Sequence, residues 1–163
     1  MVYELMDPGV AQLVESLTLV AGGVPARVVK SPSLVKARTC YDHLAGRLGV
    51  AIFDSLVAGD VIEKPGPLET TVNLGRMAPE MLGRLGIDMA SLRGGRRRLA
   101  TACLDWTERR PHLGGALGAA LCACLMEQGW VLRQRGTRAV IVTEAGKQAL
   151  LEHLGAAFGP PFP

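Results

Sequence analysis

The sequence predicts an α+β fold that is mostly α-helical and contains two tandem helix–wing–helix units. Three observations predict it. Of the 163 residues, 48% are hydrophobic but only 4% are aromatic, so the core must be built from Leu, Val and Ala, which suits close helix packing. Helix-capping residues precede several apolar runs at helical spacing. Finally, the stretch that begins at residue 43 is repeated from residue 112, which indicates an internal duplication.

The first half of the chain alternates capping signals with short turns. Residues 2–5 have the pattern of a strand end, and a helix is expected from the Asp7 N-cap to the glycines at 22–23. Ser31 and Pro32 repeat the capping signal and predict one long helix through Val57. After a Pro-rich turn, residues 70–74 are a strand candidate and 78–87 a short helix. The stretch 88–106 is expected to be helical at both ends, with an interruption at its paired glycines.

The second half predicts a further helix, a wing and a closing helix. Asp105 and Glu108 have capping-box spacing, and a helix is expected from Pro111 to Gly129. Residues 131–142 predict two strands around a Gly-Thr turn. A helix capped by Thr143 should close the fold, before a frayed tail. The expected divisions are 1–30, a wing strand and linking helix; 31–90 and 91–157, the two repeats; and 158–163, the tail.

The repeat is defined by two offsets in residue number. Residues 43–62 and 112–131 are identical at seven of twenty aligned positions, at an offset of 69. Cys40 and Asp42 match Cys103 and Asp105 at an offset of 63. A single helix–wing unit cannot bury its apolar face, so two copies should stack as a pseudo-twofold pair.

The duplicated Cys, Asp and His residues are the candidate chemistry. On a helix, Cys40 and His43 would share one face, and a facing second unit would bring two Cys and two His together. That donor set suits zinc or another thiophilic ion. In the structural alternative the cysteines pack in the core, the aspartates are caps and the histidines are hydrogen-bonded core residues. The predicted metal ligands are Cys40, His43, Cys103 and His112. The predicted ligand-binding set adds Tyr41, Asp42, Asp105 and Trp106, with Trp106 as a pocket wall.

Charge and cysteine usage limit the other classes. Eighteen Lys and Arg against fifteen Asp and Glu give a net charge of +3, too little by itself to indicate nucleic acid, although basic clusters occur at 93–98, 108–110 and 133–138. The sequence shows no secretory signal, so its four cysteines are expected to be reduced thiols and the protein is expected to be cytoplasmic. Residues 113–126 are too short to span a bilayer, so no membrane partner is expected.

An enzyme with a Cys nucleophile and nearby Asp and His is an alternative function. The sequence has no oxyanion-hole loop or phosphate-cradling glycine loop, because the glycines at 114–118 are expected within a helix, and no catalytic residue is assigned. Cys122 and Cys124 should point to different faces of that helix and pack in the core.

Three segments carry a resemblance to a known family. With "ARTCYDHLAGRLGVAI" (37–52), "LGIDMASLR" (85–93) and "ACLDWTERRPHLGGALGAALC" (102–122) in order, the chain resembles the C-terminal part of ArsR-type winged-helix transcriptional regulators, from about Met1 to Ala157. In such regulators an N-terminal winged helix binds DNA, and "VYELMDPGVAQLVESL" resembles its last wing strand and closing helix. The helix-turn-helix expected before Tyr3 is absent, so the resemblance implies the half that senses a metal or small-molecule effector and forms a homodimer.

The resemblance also raises DNA binding by the repeats themselves. Residues 121–151 have the order of a recognition helix, wing and closing helix, but residues 113–124 offer no side chain suited to base edges. Arg133, Arg135 and Arg138 on the wing could hold phosphates, which position a protein without specifying a sequence. We therefore expect two winged-helix-like units kept for effector sensing and dimerisation. A stand-alone small-molecule-binding protein or enzyme, and a DNA-binding winged-helix protein, are the alternatives.

Overall fold

The computed structural model of the chain describes residues 31–66, 69–95 and 97–155, together with the isolated positions 10, 13 and 17. The predicted strand at 2–5 and the tail lie outside the described residues, as does the predicted helix after Asp7 apart from those three positions. Within the described ranges the fold consists of six helices and three antiparallel two-stranded sheets. In chain order these are α1 (Pro32–Lys36), β1 (Arg38–Cys40), β2 (His43–Ala45), α2 (Gly46–Ala58), α3 (Ala78–Arg84), α4 (Met89–Arg93), β3 (Thr101–Leu104), β4 (Pro111–Gly114), α5 (Gly115–Glu127), β5 (Val131–Arg133), β6 (Val140–Val142) and α6 (Glu144–Leu154).

The long helix predicted from residue 31 to Val57 is wrong. Helix α1 ends at Lys36, the hairpin β1–β2 follows, and the helix resumes at Gly46. Tyr41, with a φ of 57°, turns the chain between the two strands. The apolar residues are spaced at a helical period even across the hairpin. Its strands are only three residues long, and periodicity alone does not distinguish such short strands from a helix.

For the same reason, the C-terminal end of 88–106 was wrongly predicted to be helical, and the helix predicted from Pro111 to Gly129 was given too early a start. Residues 101–104 and 111–114 form the hairpin β3–β4, and α5 begins only at Gly115. Asp105 does act as a cap, but of the turn between these strands: its Oδ1 accepts from the backbone amides of Thr107 (2.9 Å) and Glu108 (3.0 Å). A strand therefore precedes the glycines at 114–118, contrary to expectation.

Other predicted elements are confirmed. The wing β5–β6 follows α5, and α6 begins after the Thr143 cap, whose side chain accepts from the Gly146 amide. Helices α5 and α6 therefore flank a hairpin in the order of a winged helix. Residues 70–74 are not a complete strand but make isolated bridges at Thr71 and Leu74.

Two hairpin–helix segments pack on each other reciprocally. We call residues 38–58 the first unit and residues 101–127 the second unit; each is an antiparallel hairpin followed by a 13-residue helix. Helix α2 packs on β4 of the second unit, and helix α5 packs on β2 of the first. A Cβ at Gly49 would lie 3.2 Å from the Cβ of His112, and one at Gly118 would lie 3.2 Å from the Cβ of His43.

Each hairpin is extended at its edge by chain from beyond the other unit's helix. Beside β1, the amide of Thr39 donates to the carbonyl of Arg138 (2.9 Å), and Val140 donates to Ala37 (3.1 Å). Beside β3, Ala102 donates to Thr70 (2.8 Å) and Val72 donates to Ala100 (3.1 Å). The wing that follows the second unit thus pairs with the first hairpin, and the loop that follows the first unit pairs with the second hairpin.

One apolar core joins the units. It includes Leu48 and Leu56 of α2 and Leu117 and Leu125 of α5, all 2% exposed or less. Among the helices described here, none is both long and apolar enough to cross a membrane.

The close approach of α5 to strand β4 of its own unit predicts opposite effects of two Gly→Ala substitutions. In Gly118→Ala the new methyl group would overlap the carbonyl of Leu113, so we expect a loss of roughly 1–3 kcal/mol of unfolding free energy, as for other overpacked sites. The control is Gly83→Ala in α3, where a Cβ has no neighbour within 4 Å and helix propensity should stabilise by about 0.5–1 kcal/mol. Urea denaturation measures both values, and equal effects would contradict the close helix–strand approach.

Candidate metal centre

The two hairpins bring two cysteines and two histidines together. Cys40 lies directly opposite His43 across the first hairpin, and Cys103 lies directly opposite His112 across the second. One potential ligand atom from each of the four lies within 4.8 Å of all the others. The exposed fractions are 7% for Cys40, 7% for His43 and 1% for His112, and Cys103 is half-buried.

The geometry of the set differs from the expected one. Cys40 and His43 do not share a helix face but form a cross-strand pair. Directly opposite residues of an antiparallel ladder have Cβ atoms about 4.5–5.5 Å apart, so each hairpin presents one sulfur and one nitrogen at the same place. The second hairpin has six more residues between its Cys and His than the first, and the Cys–His pairing is the same in both.

A carboxylate lies beside the Nδ1 atom of each imidazole. Nδ1 of His43 is 3.2 Å from Oδ1 of Asp42, and Nδ1 of His112 is 3.4 Å from Oδ2 of Asp105. Nε2 of both histidines is buried without a hydrogen-bond partner in the described part of the chain. Buried polar atoms are rarely left unsatisfied in native proteins, so these two nitrogens are suited to coordinate a cation.

Asp105 connects the site to both units. Its carboxylate is fully buried, and Oδ2 accepts from Nη2 of Arg38 (2.8 Å) and from the Gly46 amide (2.6 Å). The Arg38 guanidinium lies 4.4 Å from the centre of the Trp106 ring, within cation–π distance. The base of α2 and strand β1 are therefore fixed to the turn of the second hairpin.

Asp42 is the less buried counterpart. Its carboxylate forms a two-fold ion pair with the guanidinium of Arg97, which lies before the second hairpin, and both side chains are about one third to two fifths exposed. Each histidine is therefore backed by a carboxylate that is itself held by an arginine from the other half of the chain.

Neighbouring groups of the site shift the pKa values of Cys40, His43 and His112. The pKa of Cys40 lies far below its usual range, chiefly because the Cys103 thiol stabilises the thiolate; burial opposes the shift, and His112 and His43 reinforce it. Burial alone would lower the pKa of His43, but Asp42 and Cys40 outweigh it and raise the pKa to about 9. Burial is likewise outweighed at His112, whose pKa is raised by Asp105 and Cys40. The site therefore favours a thiolate, and a bound cation would displace imidazole protons.

Both carboxyl groups stay ionised. Burial would raise the pKa of Asp105, but His112, Thr107 and Arg38 outweigh it and hold the pKa well below its usual range. The pKa of Asp42 is lowered in the same way, because His43 and Arg97 outweigh its partial burial.

The other predicted ligand-binding residues are Tyr41 and Trp106. Tyr41 is at the hairpin turn and is 48% exposed, and the Trp106 ring lies against the Arg38 guanidinium. Cys122 and Cys124 lie in the core as predicted, and burial raises the pKa of Cys122 to about 11. The arginines at 133, 135 and 138 are on the exposed wing.

Sequence reasoning missed the partners that hold the site. Arg38 is 67 residues from Asp105, and Arg97 is 55 residues from Asp42. Arg38 lies two residues before Cys40 in the segment "ARTCYDH", and this proximity is the signal in the sequence that could have pointed to its role.

The donor set fits a thiophilic cation. Two sulfurs and two imidazole nitrogens are the ligand types of a closed tetrahedral zinc site, and carboxylates behind histidine ligands are the usual orienting groups of such sites. The low exposure of Cys40 suits coordination better than attack on a large substrate.

Comparison with known proteins places the chain in a family. It is 36% identical over 156 residues to an uncharacterized HTH-type transcriptional regulator, YdfF, of Bacillus subtilis (strain 168), and the match covers 93% of this chain and 68% of that protein. No family model matches the chain. No solved structure matches it either. On the strength of the match to the B. subtilis protein, the chain belongs to the HTH-type transcriptional regulators.

Proposed function

We propose that this chain is the effector-sensing and dimerisation part of an ArsR-type regulator, and that its effector is zinc or another thiophilic metal ion. The ion would be held by Cys40, His43, Cys103 and His112. The observation that carries the proposal is the convergence of these four ligand atoms within 4.8 Å, with both Nε2 atoms buried and unpartnered.

The chemistry of the donors favours zinc among common ions. Thiolate and imidazole together suit Zn²⁺ and copper, whereas Mg²⁺ and Ca²⁺ prefer oxygen ligands. Four protein ligands complete a tetrahedral shell, which is typical of sites that hold structure and leave no open position for catalysis.

The division of the ligands supports a sensing role. Each unit supplies one Cys and one His, so a bound ion would link the two hairpins directly. Metal binding then adds to the free energy that holds the units together.

The matching register of the Cys–His pairs and the reciprocal glycine contacts also support an origin by duplication. We expect the protein to form a homodimer in the cytoplasm. The molar mass measured by light scattering would test the dimer.

Stoichiometric metal binding is the first prediction. Protein purified under reducing conditions without chelator should carry one thiophilic ion per chain, measured by native mass spectrometry with elemental analysis. Cys40→Ala and Cys103→Ala should lose the ion, because each removes one of four ligands. Cys122→Ala is the matched control, since it removes a buried cysteine outside the site and should keep the ion. Folded wild-type protein that takes up no zinc, or variants that bind it as tightly as wild type, would sink the proposal.

A second prediction concerns the buried carboxylate. Asp105→Asn leaves the Arg38 guanidinium buried without its counterion, so the unfolding free energy should fall by roughly 3–5 kcal/mol. Asp54→Asn is the control, because Asp54 pairs with Arg110 at the surface and should cost less than about 1 kcal/mol. Urea denaturation of both variants in the presence of chelator separates this effect from metal binding. A loss at Asp105 no larger than that at Asp54 would contradict the role given to the network.

A further inference from the structure

A groove lined mainly by apolar side chains lies between helices α2, α3 and α6. Its volume is about 410 Å³, and none of the four donors of the candidate metal centre lines it. Leu56, Met81 and Leu154 are among its buried lining residues, whereas Met77, also in the lining, is 41% exposed. The described residues therefore leave apolar surface open at this place, and another apolar group is needed to cover it.

The charged side chains at the groove do not favour a charged occupant. Glu80 and Arg84, which line it, pair with each other across one turn of α3. The His153 ring stacks on Trp130, with 5.3 Å between the ring centroids. An occupant that brought its own charge would have to bury it without a free counterion, which is costly. The groove therefore suits an uncharged apolar segment.

The described chain ends at the groove itself. Gly155 is the last described residue of the C-terminal helix region and lines the groove. It closes α6 in the left-handed conformation, with a φ of 62°. A left-handed residue at the end of a helix turns the chain away from the helix axis. The residues that follow are tethered beside the groove, so their effective concentration there is about millimolar or higher.

Residues 156–163, which we call the C-terminal segment, match the groove in chemistry. The segment, "AAFGPPFP", contains no charged residue and two of the three phenylalanines of the chain, Phe158 and Phe162. Its three prolines lack the backbone donors that strand pairing needs, and Pro-rich chain is recognised in extended form by apolar grooves. Phe158 is three residues beyond Gly155, a reach of about 10 Å for extended chain.

We propose that the C-terminal segment binds in this groove of its own chain, with the Phe158 ring against the side chains of Met77 and Met81. Methionine sulfur makes favourable contacts with aromatic rings, and the unbranched side chain adapts to the shape of its partner. Bound there, the segment ties the end of α6 to α2 and α3. The groove is then open to another apolar partner only when the segment leaves it.

The test is NMR spectroscopy of the whole chain labelled with ¹³C at its six methionine methyl groups, which are assigned with single Met→Leu variants. An aromatic ring that packs against a methyl group displaces the resonance of that group. In Phe158→Ser the Met77 and Met81 resonances should therefore lose this displacement and move. The Met89 and Met126 resonances should stay in place, because these two side chains pack on the core and do not line the groove.

Leu132→Ser is the matched control. It removes an apolar side chain that is 48% exposed on the wing, outside the groove, so the Met77 and Met81 resonances should not move. Thermal melts establish that each variant is folded before its spectrum is compared. Unchanged Met77 and Met81 resonances in Phe158→Ser would overturn the proposal.

Two other occupants give different results in the same spectra. Val10, Leu13 and Leu17 are exposed at helical spacing, so movement of the Met77 and Met81 resonances in Leu13→Ser, but not in Phe158→Ser, would overturn the proposal in favour of that part of the chain. A displacement that requires Phe158 but disappears on dilution would overturn it in favour of a second copy of the chain. The metal proposal stands or fails separately, because the groove contains none of the four donors.

Discussion

The buried carboxylate of Asp105 is the contact on which the arrangement of the two units depends. It lies in the turn of the second hairpin, yet it accepts from Arg38 at the start of the first hairpin and from the amide of Gly46 at the start of α2. A buried ion pair is stabilising only when its remaining hydrogen-bonding groups are also satisfied. Here Thr107 and Glu108 donate to Oδ1, and Leu34 accepts from Nη1 of Arg38, which offsets part of the desolvation cost, while Nε of Arg38 is buried without a hydrogen-bond partner in the described part of the chain.

This network acts together with the close approach of helices and strands. Gly49 and Gly118 let each helix lie against the strand of its own unit, where a methyl group would overlap a carbonyl, while bringing it next to the histidine of the other unit. The ionic contact fixes the relative position of the units, and the glycines set their separation. The four donors converge because both constraints apply at the same time.

The sequence was informative where the signal was local or repeated. Thr143 and the Gly-Thr turn predicted α6 and the wing, because capping and turn residues act over three or four positions. The repeat identified the four Cys and His residues from their matched spacing. The long helix through residue 57 was wrongly predicted because three-residue strands are too short to show a period of two. The Arg38–Asp105 pair could not be predicted, since nothing local links residues 67 positions apart.

The placement of the donors has a thermodynamic consequence. Because two ligands come from each hairpin, an ion bound by all four must favour the arrangement in which the hairpins meet, and any displacement of one unit must weaken its coordination. Strand β1 carries Cys40 and at the same time pairs with residues 138–140 of the wing, so the position of that strand affects both the candidate metal centre and the exposed wing. A ligand influences a distant surface only through an element that both contact, and in this fold β1 is such an element.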